Sequence, residues 1–365
     1  MSVELANCWQ PLGTGRQTPV GALREARLTE RLAAYKRDVA GAYHTLTLED
    51  VAGVLQSGPC HVSLKVDGMT AFLHRRAGQT VVLTPRGQVL ADLPLTTDAD
   101  HILGNWEGLL AGELYAAADT GRPTIYGLLA ALGGGESAPV ERLRFAAFDL
   151  LLDGEMDADT LLYTERAARL QTLLAGGSSA HAVPVTPAHT VDDVLAVYQR
   201  EVLERGGEGL VLHAADGRIY KLKPVITLDA VVVGYTATDA GVTDLLLGLL
   251  PPEQSADGLT VQLIGRVDVG FTADDRRQLA SHLASRHQPA ALALTNRAGQ
   301  PYQWVAPQLV VEVRCHELLT ADADGDPILR WRLTVGAAGA GRPWGKCRAL
   351  ACAMPSSCAC ATTNR

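Results

Sequence analysis

Short apolar runs with alternating polarity are interspersed with amphipathic helical stretches along this chain, and the two kinds of segment follow no regular order. A regular alternation of strand and helix is typical of doubly wound parallel sheets, so its absence favours an α+β fold of antiparallel sheets with helices. The strand-like runs lie at residues 80–83, 144–152, 209–213 and 218–223, and the helical stretches at 160–174 and 190–204.

The N-terminal part is predicted to be helical. Apolar residues at helical spacing predict an amphipathic helix over residues 19–40. The run Thr47-Leu48-Glu49-Asp50 resembles a capped helix start, and this second helix is predicted to end at Gly58-Pro59. Two helices are therefore expected before the first strand-like run.

The pattern changes after Pro224, where short strand-like runs surround one predicted helix at 273–286. The runs lie at 230–235, 245–249, 259–269 and 308–313. These elements predict a small closed β-barrel of the oligonucleotide-binding (OB) type. We therefore expect an N-terminal helical extension (1–45), an α+β domain (46–226), a C-terminal OB-fold domain (227–338) and a flexible tail (339–365).

The charge of the chain limits how it could bind a polyanion. The formal net charge is −8. Residues 1–224 carry 27 acidic and 20 basic side chains, and residues 225–365 carry 13 and 12, so neither part is a basic module. A nucleic acid would have to bind in a local groove of cationic side chains, with an affinity that falls steeply with salt.

The N-terminal sequence and the cysteines bear on the cellular compartment. The first thirty residues contain no basic start followed by an apolar stretch, so we expect a soluble cytoplasmic protein with no membrane partner. The seven cysteines are an odd number, and three of them are widely scattered, which argues against a disulfide framework. The four near the C terminus lack a paired C-x-x-C, so a zinc site is not expected.

Lysine is rare in this chain, which has five lysines and 27 arginines. Three of the five lie in two short motifs, Lys65-Val66-Asp67-Gly68 and Tyr220-Lys221-Leu222-Lys223-Pro224. Alternating polarity predicts a strand in which Ser63, Lys65 and Asp67 share one face. A lysine that arginine cannot replace is typical of a nucleophile, because an ammonium can lose its proton whereas a guanidinium stays charged.

Four further motifs lie between the two lysine motifs: Thr84-Pro85-Arg86-Gly87, Gly112-Glu113-Leu114, Phe145-Ala146-Ala147-Phe148-Asp149 and Gly207-Glu208-Gly209-Leu210-Val211. The series resembles the collinear motifs of the covalent nucleotidyltransferases, which include ATP-dependent DNA ligases, RNA ligases and mRNA capping enzymes. The likeness runs from about residue 60 to 335. After Lys223 it is most similar to ATP-dependent DNA ligases, in Val231-Val232-Val233-Gly234, Gly265-Arg266-Val267 and Trp304-Val305-Ala306-Pro307.

The resemblance implies an ATP-dependent DNA ligase whose nucleotidyltransferase (adenylation) domain is residues 46–226. Lys65 would form a covalent lysyl-AMP intermediate and pass AMP to a 5′-phosphate, and the adjoining 3′-hydroxyl would then seal the nick. Lys221 and Lys223 would lower the pKa of the nucleophile and neutralise the triphosphate. Asp67 would orient the amine or a metal-bound water, which completes the predicted catalytic set.

The same resemblance implies residues that bind ATP and magnesium. Glu113 would bind the adenosine ribose, Arg86 would bind a ribose hydroxyl or a nucleic-acid phosphate, and Phe148 would stack on the adenine. Glu208 and Asp67 would bind Mg²⁺, with Mn²⁺ as a substitute, because magnesium takes few protein carboxylates and keeps several waters. The expected partner is nicked duplex DNA, bound by a monomer in DNA repair, replication or recombination.

Departures from the family pattern leave an RNA end-joining or repair ligase as the alternative. DNA ligases usually have arginine five residues after the nucleophile, where this chain has Thr70. Lys221 also follows Glu208 closely, and His213 stands where a lysine or arginine is common.

The final basic motif of the barrel is a second departure. Its nearest equivalents in this chain are Arg330, Arg332 and Lys346. A non-catalytic nucleic-acid-binding protein with the same fold is a further alternative, which predicts binding without an adenylated protein.

Overall fold

The computed structural model describes residues 8–119, 121–252, 258–290, 292–315, 317–319, 328–335, 341–348, 351–353 and 360–361. The chain divides into two compact units, Met1–Pro224 and Val225–Arg365. Antiparallel sheets combine with helices in both units, so the fold class is α+β, as the sequence predicts. No helix in the described part of the chain is long and apolar enough to span a membrane.

Helices of unit 1 are distributed along its whole length. The described α-helices are α1 (Ala26–Tyr35), α2 (Val51–Leu55), α3 (Pro94–Leu103), α4 (Ile125–Gly133), α5 (Tyr163–Leu173) and α6 (Val191–Tyr198). Two π-helical segments continue α1 and α6, at Lys36–Ala40 and Gln199–Glu204. Short 3₁₀ turns lie at Leu48–Asp50, Gly135–Ser137, Val140–Arg142 and Ala158–Thr160.

Strands of unit 1 form two sheets. The strands are β1 (Gln10–Leu12), β2 (Gly15–Gln17), β3 (His44–Leu46), β4 (Cys60–Lys65), β5 (Met69–Arg76), β6 (Gln79–Leu83), β7 (Val89–Ala91), β8 (Gly108–Ala116), β9 (Leu143–Asp153), β10 (Met156–Asp157), β11 (Ala180–Ala182), β12 (Val185–Ala188), β13 (Gly209–His213) and β14 (Ile219–Leu222).

The larger sheet contains nine of the described strands in the order β1-β2-β7-β6-β5-β8-β9-β10, with β11 paired to β9. Successive side chains of a strand point to opposite faces, so β5 places Leu73 on one face and Phe72 on the other. The face with Leu73 packs against α3, α4 and α5. The face with Phe72 packs against Leu28 and Leu32 of α1. Each fully buried aliphatic side chain of this kind stabilises the folded state by about 1.5–3 kcal/mol relative to an exposed one.

The smaller sheet contains five strands among the described residues, in the order β12-β4-β13-β14-β3. Neighbouring strands are antiparallel except β14 and β3, which are parallel. One face packs against α2 and α6 through Val51, Val194 and Val197. Strand β4 contributes Cys60 and Val62 to this core, which fixes the strand that ends at Lys65.

In its described residues, unit 2 combines antiparallel strands with one helix. The strands are β15 (Ile226–Thr238), β16 (Gly241–Leu249), β17 (Leu259–Val267), β18 (Gln303–Trp304), β19 (Val310–Cys315), β20 (Glu317–Leu319), β21 (Leu329–Val335), β22 (Gly341–Arg348), β23 (Ala351–Ala353) and β24 (Cys360–Ala361). The main sheet has the order β22-β21-β17-β16-β15-β19-β24, with β18 on β15 and a separate β20-β23 pair. Helix α7 (Ala273–Ala284) packs on it through Leu279 and Leu283.

Several predicted elements are present with small changes of boundary. The strands predicted at 80–83, 144–152, 209–213 and 218–223 correspond to β6, β9, β13 and β14, and the helix predicted at 273–286 is α7. The predicted capped start at Thr47 is confirmed, since the carboxylate of Asp50 accepts hydrogen bonds from the backbone NH of Thr47 at 3.3 Å and from Thr47 Oγ1 at 2.6 Å. Strand β22 lies within residues 339–365, the predicted tail, and pairs with β21.

The predicted helix over residues 19–40 is wrong at its N-terminal end. Helix α1 begins at Ala26, and Val20 is 60% exposed. Gly21 has a φ of 78°, a left-handed conformation that glycine tolerates and a helix does not continue through. The backbone NH groups of Gly21 and Leu23 instead donate to the carbonyls of Arg86 and Gly87.

A buried polar network fixes α1 to the larger sheet. Asp149 on β9 is only 7% exposed. It accepts hydrogen bonds from Tyr35 Oη at 2.9 Å, from Arg166 Nε at 2.6 Å and from the backbone NH of Leu150 at 3.0 Å. The ring of Tyr35 also meets Phe72 edge to face, with centroids 5.8 Å apart. The C-terminal end of α1 is therefore held by one carboxylate.

Replacing Tyr35 with Phe tests this network. The variant should lower the free energy of unfolding of unit 1 by about 1–2 kcal/mol, because a buried carboxylate loses one of its donors. The measurement is chemical denaturation of wild type and variant. Tyr126→Phe is the matched control, since no hydrogen bond to the Tyr126 hydroxyl occurs among the described residues, and equal losses in the two variants would contradict the assignment.

Candidate active site

Three strand ends meet at one end of the smaller sheet. Lys65 is the last residue of β4 and pairs with Gly209, the first residue of β13. Leu210 of β13 pairs with Leu222 of β14, so the residue after β14, Lys223, also comes to this end. Glu208 immediately precedes β13 and lies between the two lysines. Antiparallel pairing thus brings together residues that are far apart in sequence.

Glu208 forms a salt bridge with each lysine. Its Oε2 lies 2.6 Å from Lys65 Nζ, and its Oε1 lies 2.5 Å from Lys223 Nζ. The Glu208 side chain is 10% exposed. Burial raises the pKa of Glu208, but the ammonium groups of Lys65 and Lys223 outweigh burial, so its pKa lies below the ordinary value. The carboxylate is therefore ionised at neutral pH and paired on both oxygens.

Lys221 joins this group from the middle of β14, where it pairs with Val211. Partial burial, followed by the charges of Lys223 and Lys65, lowers the pKa of Lys221. The sequence predicts that the charges of Lys221 and Lys223 lower the pKa of Lys65, and this role stays a prediction. The structure places the Glu208 carboxylate between Lys65 and Lys223, where it pairs with both side chains.

The glycines beside Glu208 allow other parts of the backbone to approach closely. A Cβ on Gly209 would lie 2.4 Å from the carbonyl oxygen of Leu222, and one on Gly207 would lie 2.6 Å from that of Glu201. These glycines let the strands close tightly enough to position Glu208.

The connection from β4 to β5 carries the chain from the smaller to the larger sheet. Strand β4 ends at Lys65, so Asp67 lies beyond the strand and does not share a strand face with Lys65 as predicted. Asp67 Oδ2 lies 3.7 Å from Arg122 Nη1. Gly68 follows, and a Cβ there would lie 2.2 Å from the carbonyl oxygen of Leu114 and 3.1 Å from Glu113 Cγ. The connection therefore lies directly against β8.

Glu113 faces the lysine group from the larger sheet. It lies on β8 and pairs with Thr70 of β5. Burial raises the pKa of Glu113 to about 7, while Lys65 and Lys36 oppose the rise and Glu208 and Asp67 add to it. These electrostatic partners place Glu113 beside the predicted catalytic residues, and a carboxyl group with such a pKa can change its protonation state at neutral pH.

The predicted residues Phe148 and Arg86 belong to the larger sheet, Phe148 to β9 and Arg86 to the turn between β6 and β7. Phe148 is the extra residue of a β-bulge in β9, because Ala147 and Asp149 pair with consecutive residues of β8. Its ring is half-buried beside the core of α1, and bulges of this kind redirect side chains next to active sites. Arg86 is exposed in the turn from Thr84 to Gly87.

The candidates for the final barrel motif belong to unit 2. Arg330 and Arg332 lie on β21, and Lys346 lies on β22, where its backbone pairs with Trp331. The role assigned to these three residues stays a prediction.

Sequence reasoning missed three groups in unit 1. Lys36 donates a 2.8 Å hydrogen bond to Thr70 Oγ1, and the scarcity of lysine is the signal that could have found it. Asp149 organises the network described above. The third is a stack of Tyr163 on His213, with ring centroids 3.6 Å apart. Burial lowers the pKa of His213 to about 3, and the charges of Arg166 and His61 act in the same direction. His213 is therefore neutral and does not replace the expected cation.

Comparison with known protein families gives a match over part of the chain. The family model of the C-terminal region of ATP-dependent DNA ligases matches residues 238–334, which lie within unit 2. The chain is related to the ATP-dependent DNA ligases. The match supports a ligase enzyme, and no curated protein sequence matches the chain.

Solved structures of ligases are similar to the chain. The ligase domain of M. tuberculosis LigD is 25% identical, with 71% of this chain and 84% of that chain covered and a TM-score of 0.38. The structure named Pmar-Lig_Pre is 14% identical, with 78% of this chain and 64% of that chain covered and a TM-score of 0.54. The ATP complex of the bacteriophage T7 ATP-dependent DNA ligase is 12% identical, with 78% and 95% covered and a TM-score of 0.33. The likeness to Pmar-Lig_Pre supports the fold.

Because the pKa of Glu113 is raised, the free energy of unfolding should depend on pH. Between pH 4.5, the ordinary pKa of a glutamate, and about pH 7, Glu113 is protonated in the folded state and ionised in the unfolded state. The free energy of unfolding should therefore fall as pH rises through this window, by about 2–3 kcal/mol between pH 5 and 8. Glu113→Gln should remove this component. Denaturation of both proteins across the range measures it, and parallel curves would show that the carboxyl titrates normally.

Gly68→Ala tests the close approach of the β4–β5 connection to β8. The added methyl group would meet the carbonyl oxygen of Leu114, so the connection must shift and should cost about 1–3 kcal/mol. Gly53→Ala is the control, because a Cβ in this helical position meets no atom within 4 Å. That variant should be neutral or more stable by about 0.5–1 kcal/mol. Thermal unfolding of the two variants should move in opposite directions.

Proposed function

We propose that the chain is an ATP-dependent polynucleotide ligase that seals nicked DNA through a lysyl-AMP intermediate. The observation that carries the proposal is the convergence of Lys65, Glu208 and Lys223 at the end of the smaller sheet, with Lys221 beside them. The match of unit 2 to the C-terminal region of ATP-dependent DNA ligases supports the same activity. A single reactive lysine among cations and a carboxylate suits transfer of a nucleotide.

In the first step, the neutral amine of Lys65 attacks the α-phosphorus of ATP. A phosphorus–nitrogen bond forms, the bond from the α-phosphorus to the bridging oxygen breaks, and pyrophosphate leaves. Lys65 must first separate from Glu208 and lose a proton, because an ammonium has no lone pair for attack. The charges of Lys221 and Lys223 would draw the triphosphate toward the amine and stabilise the charge that develops on its oxygens.

The larger sheet would hold the nucleoside. Glu113 lies opposite the lysine group and can accept hydrogen bonds from ribose hydroxyls when it is ionised. The bulge at Phe148 would direct its ring to the adenine. Arg86, exposed in its turn, would contact a ribose hydroxyl or a nucleic-acid phosphate. These roles for Glu113, Phe148 and Arg86 are part of the proposal.

Magnesium would be held by Glu208 and Asp67 together with oxygens of the triphosphate. Both carboxylates act electrostatically on Glu113, so each lies near Glu113. In the described residues no cluster of three or more His, Cys, Asp or Glu forms a metal site. Oxygen donors in small number suit Mg²⁺, or Mn²⁺ in its place, because phosphates and waters complete its shell. When bound, the ion would neutralise charge on the phosphates.

Nicked duplex DNA is the proposed partner, bound by a monomer in the cytoplasm during repair, replication or recombination. The overall charge of the chain is −8, so the duplex would depend on local cations. The RNA-ligase alternative is based on Thr70, where DNA ligases usually have arginine. Lys36 supplies a cation at Thr70, and this contact weakens that argument for RNA.

Labelling with ATP carrying a radioactive α-phosphate tests the function. Wild-type protein should become labelled in denaturing conditions, and a nicked duplex should then remove the label and become sealed. Lys65→Arg should abolish labelling by at least about 10³-fold, because it keeps the charge but cannot lose its proton.

Two outcomes would overturn the proposal. An unlabelled wild-type protein excludes the lysyl-AMP mechanism, and a labelled Lys65→Arg variant places the nucleophile elsewhere. Nicks with DNA or RNA at the 3′ end separate the two ligase activities. Salt-sensitive DNA binding without any label would support the non-catalytic alternative.

A further inference from the structure

Lys36 is the fourth of the five lysines to reach the candidate site, and it comes from a separate element. It begins the π-helical segment Lys36–Ala40 that continues α1. Its ammonium donates a 2.8 Å hydrogen bond to Oγ1 of Thr70, which pairs with Glu113 across β5 and β8. Its charge is also one of those that act on Glu113. Lys36 therefore lies at the side of the site formed by the larger sheet.

The positive charge of Lys36 is available to a ligand. Lys65 and Lys223 are both paired with Glu208, whereas in the described part of the chain Lys36 forms no salt bridge. Its hydrogen-bond partner is a neutral hydroxyl, and its side chain is exposed. A hydroxyl cannot neutralise an ammonium, so Lys36 can bind an anion without first giving up a carboxylate.

The backbone under Lys36 is fixed. Tyr35, its neighbour, is buried, donates to Asp149 and contacts Phe72. Leu28 and Leu32 bury the preceding turns of α1 against the larger sheet. A π-helical segment directly after such an anchored helix is typical of functional sites. The protein thus holds the base of a long, flexible side chain in one place.

The second step of the proposed reaction creates a need for a further cation. Adenylation converts the ammonium of Lys65 into an uncharged nitrogen bonded to phosphorus, so the site loses one positive charge. At that moment the acceptor 5′-phosphate must approach the phosphate of AMP. Two unit charges about 4 Å apart repel by about 4 kcal/mol at an effective dielectric constant of 20. A cation that is not engaged by Glu208 can offset this repulsion.

We propose that Lys36 binds the 5′-phosphate of the acceptor strand and positions it for transfer of AMP. The inference rests on the proposed ligase function. An oxygen of that phosphate attacks the phosphorus of lysyl-AMP and forms a new phosphorus–oxygen bond. The phosphorus–nitrogen bond to Lys65 breaks, and the nitrogen takes a proton from solvent. The product is a 5′–5′ pyrophosphate linkage between AMP and the strand.

Lys36→Met tests the assignment when the two steps are measured separately. Formation of lysyl-AMP from ATP should stay within about threefold of wild type, because the proposal assigns Lys36 to the acceptor phosphate and leaves the triphosphate to Lys221 and Lys223. Transfer of AMP to a nicked duplex in a single turnover should slow by about 10- to 100-fold, the loss expected for one charged hydrogen bond. The salt dependence of nick binding should lose about one unit of slope.

Two variants serve as controls. Arg37→Met removes a cation from the same π-helical segment, where the guanidinium is exposed and paired with Asp38, so it should leave both steps unchanged. Lys36→Arg keeps the charge and should recover most of the transfer rate. A nick without a 5′-phosphate should bind wild type and Lys36→Met equally.

The outcomes separate this inference from the proposed function. If wild type forms no lysyl-AMP, the proposed function fails whatever Lys36 does. If wild type seals nicks and Lys36→Met transfers AMP at the wild-type rate, the role of Lys36 is overturned. An equal loss of both steps in Lys36→Met would assign the ammonium to ATP and overturn its role at the acceptor. An equal loss in Arg37→Met would show that only the general charge of the segment matters.

Discussion

The buried carboxylate of Glu208 is the interaction on which the candidate site depends. Taking a charge out of water costs several kcal/mol, and only paired cations with good geometry offset this cost. Here Lys65 and Lys223 each pair with one oxygen. Removing either lysine would leave one oxygen of the buried carboxylate without its cation. In the proposed reaction, a substrate with its own negative charge would compete with Glu208 for the two lysines.

The two sheets of unit 1 contribute different chemistry to this site. The smaller sheet supplies Lys65, Lys221 and Lys223, which suit phosphate groups. The larger sheet supplies Glu113 and Thr70, which suit hydroxyl groups. The short connection through Gly68 joins the sheets and lies so close to Leu114 that only glycine fits without a shift. The backbone therefore constrains the distance between the three lysines of the smaller sheet and Glu113 and Thr70 of the larger sheet.

The anchored end of α1 explains how an acidic chain can bring a further cation to the site. Asp149 holds Tyr35, and the next residue, Lys36, projects to Thr70. Four of the five lysines thus gather in one part of a chain whose net charge is −8. A local concentration of charge of this kind serves a phosphate ligand, whereas an even distribution would only reduce the net charge of the surface.

The sequence by itself determined the fold class, many strands and the rarity of lysine, because periodicity and residue type are local properties of the chain. It also identified Lys65, Glu208, Lys221 and Lys223 through a resemblance of ordered motifs. It could not show that Glu208 lies between Lys65 and Lys223, that Asp67 lies beyond β4, or that Lys36 donates to Thr70 beside Glu113. Those facts depend on strand register, on where β4 ends and on the packing of α1, which arise from contacts between residues far apart in sequence. Tertiary structure alone decided which charges meet.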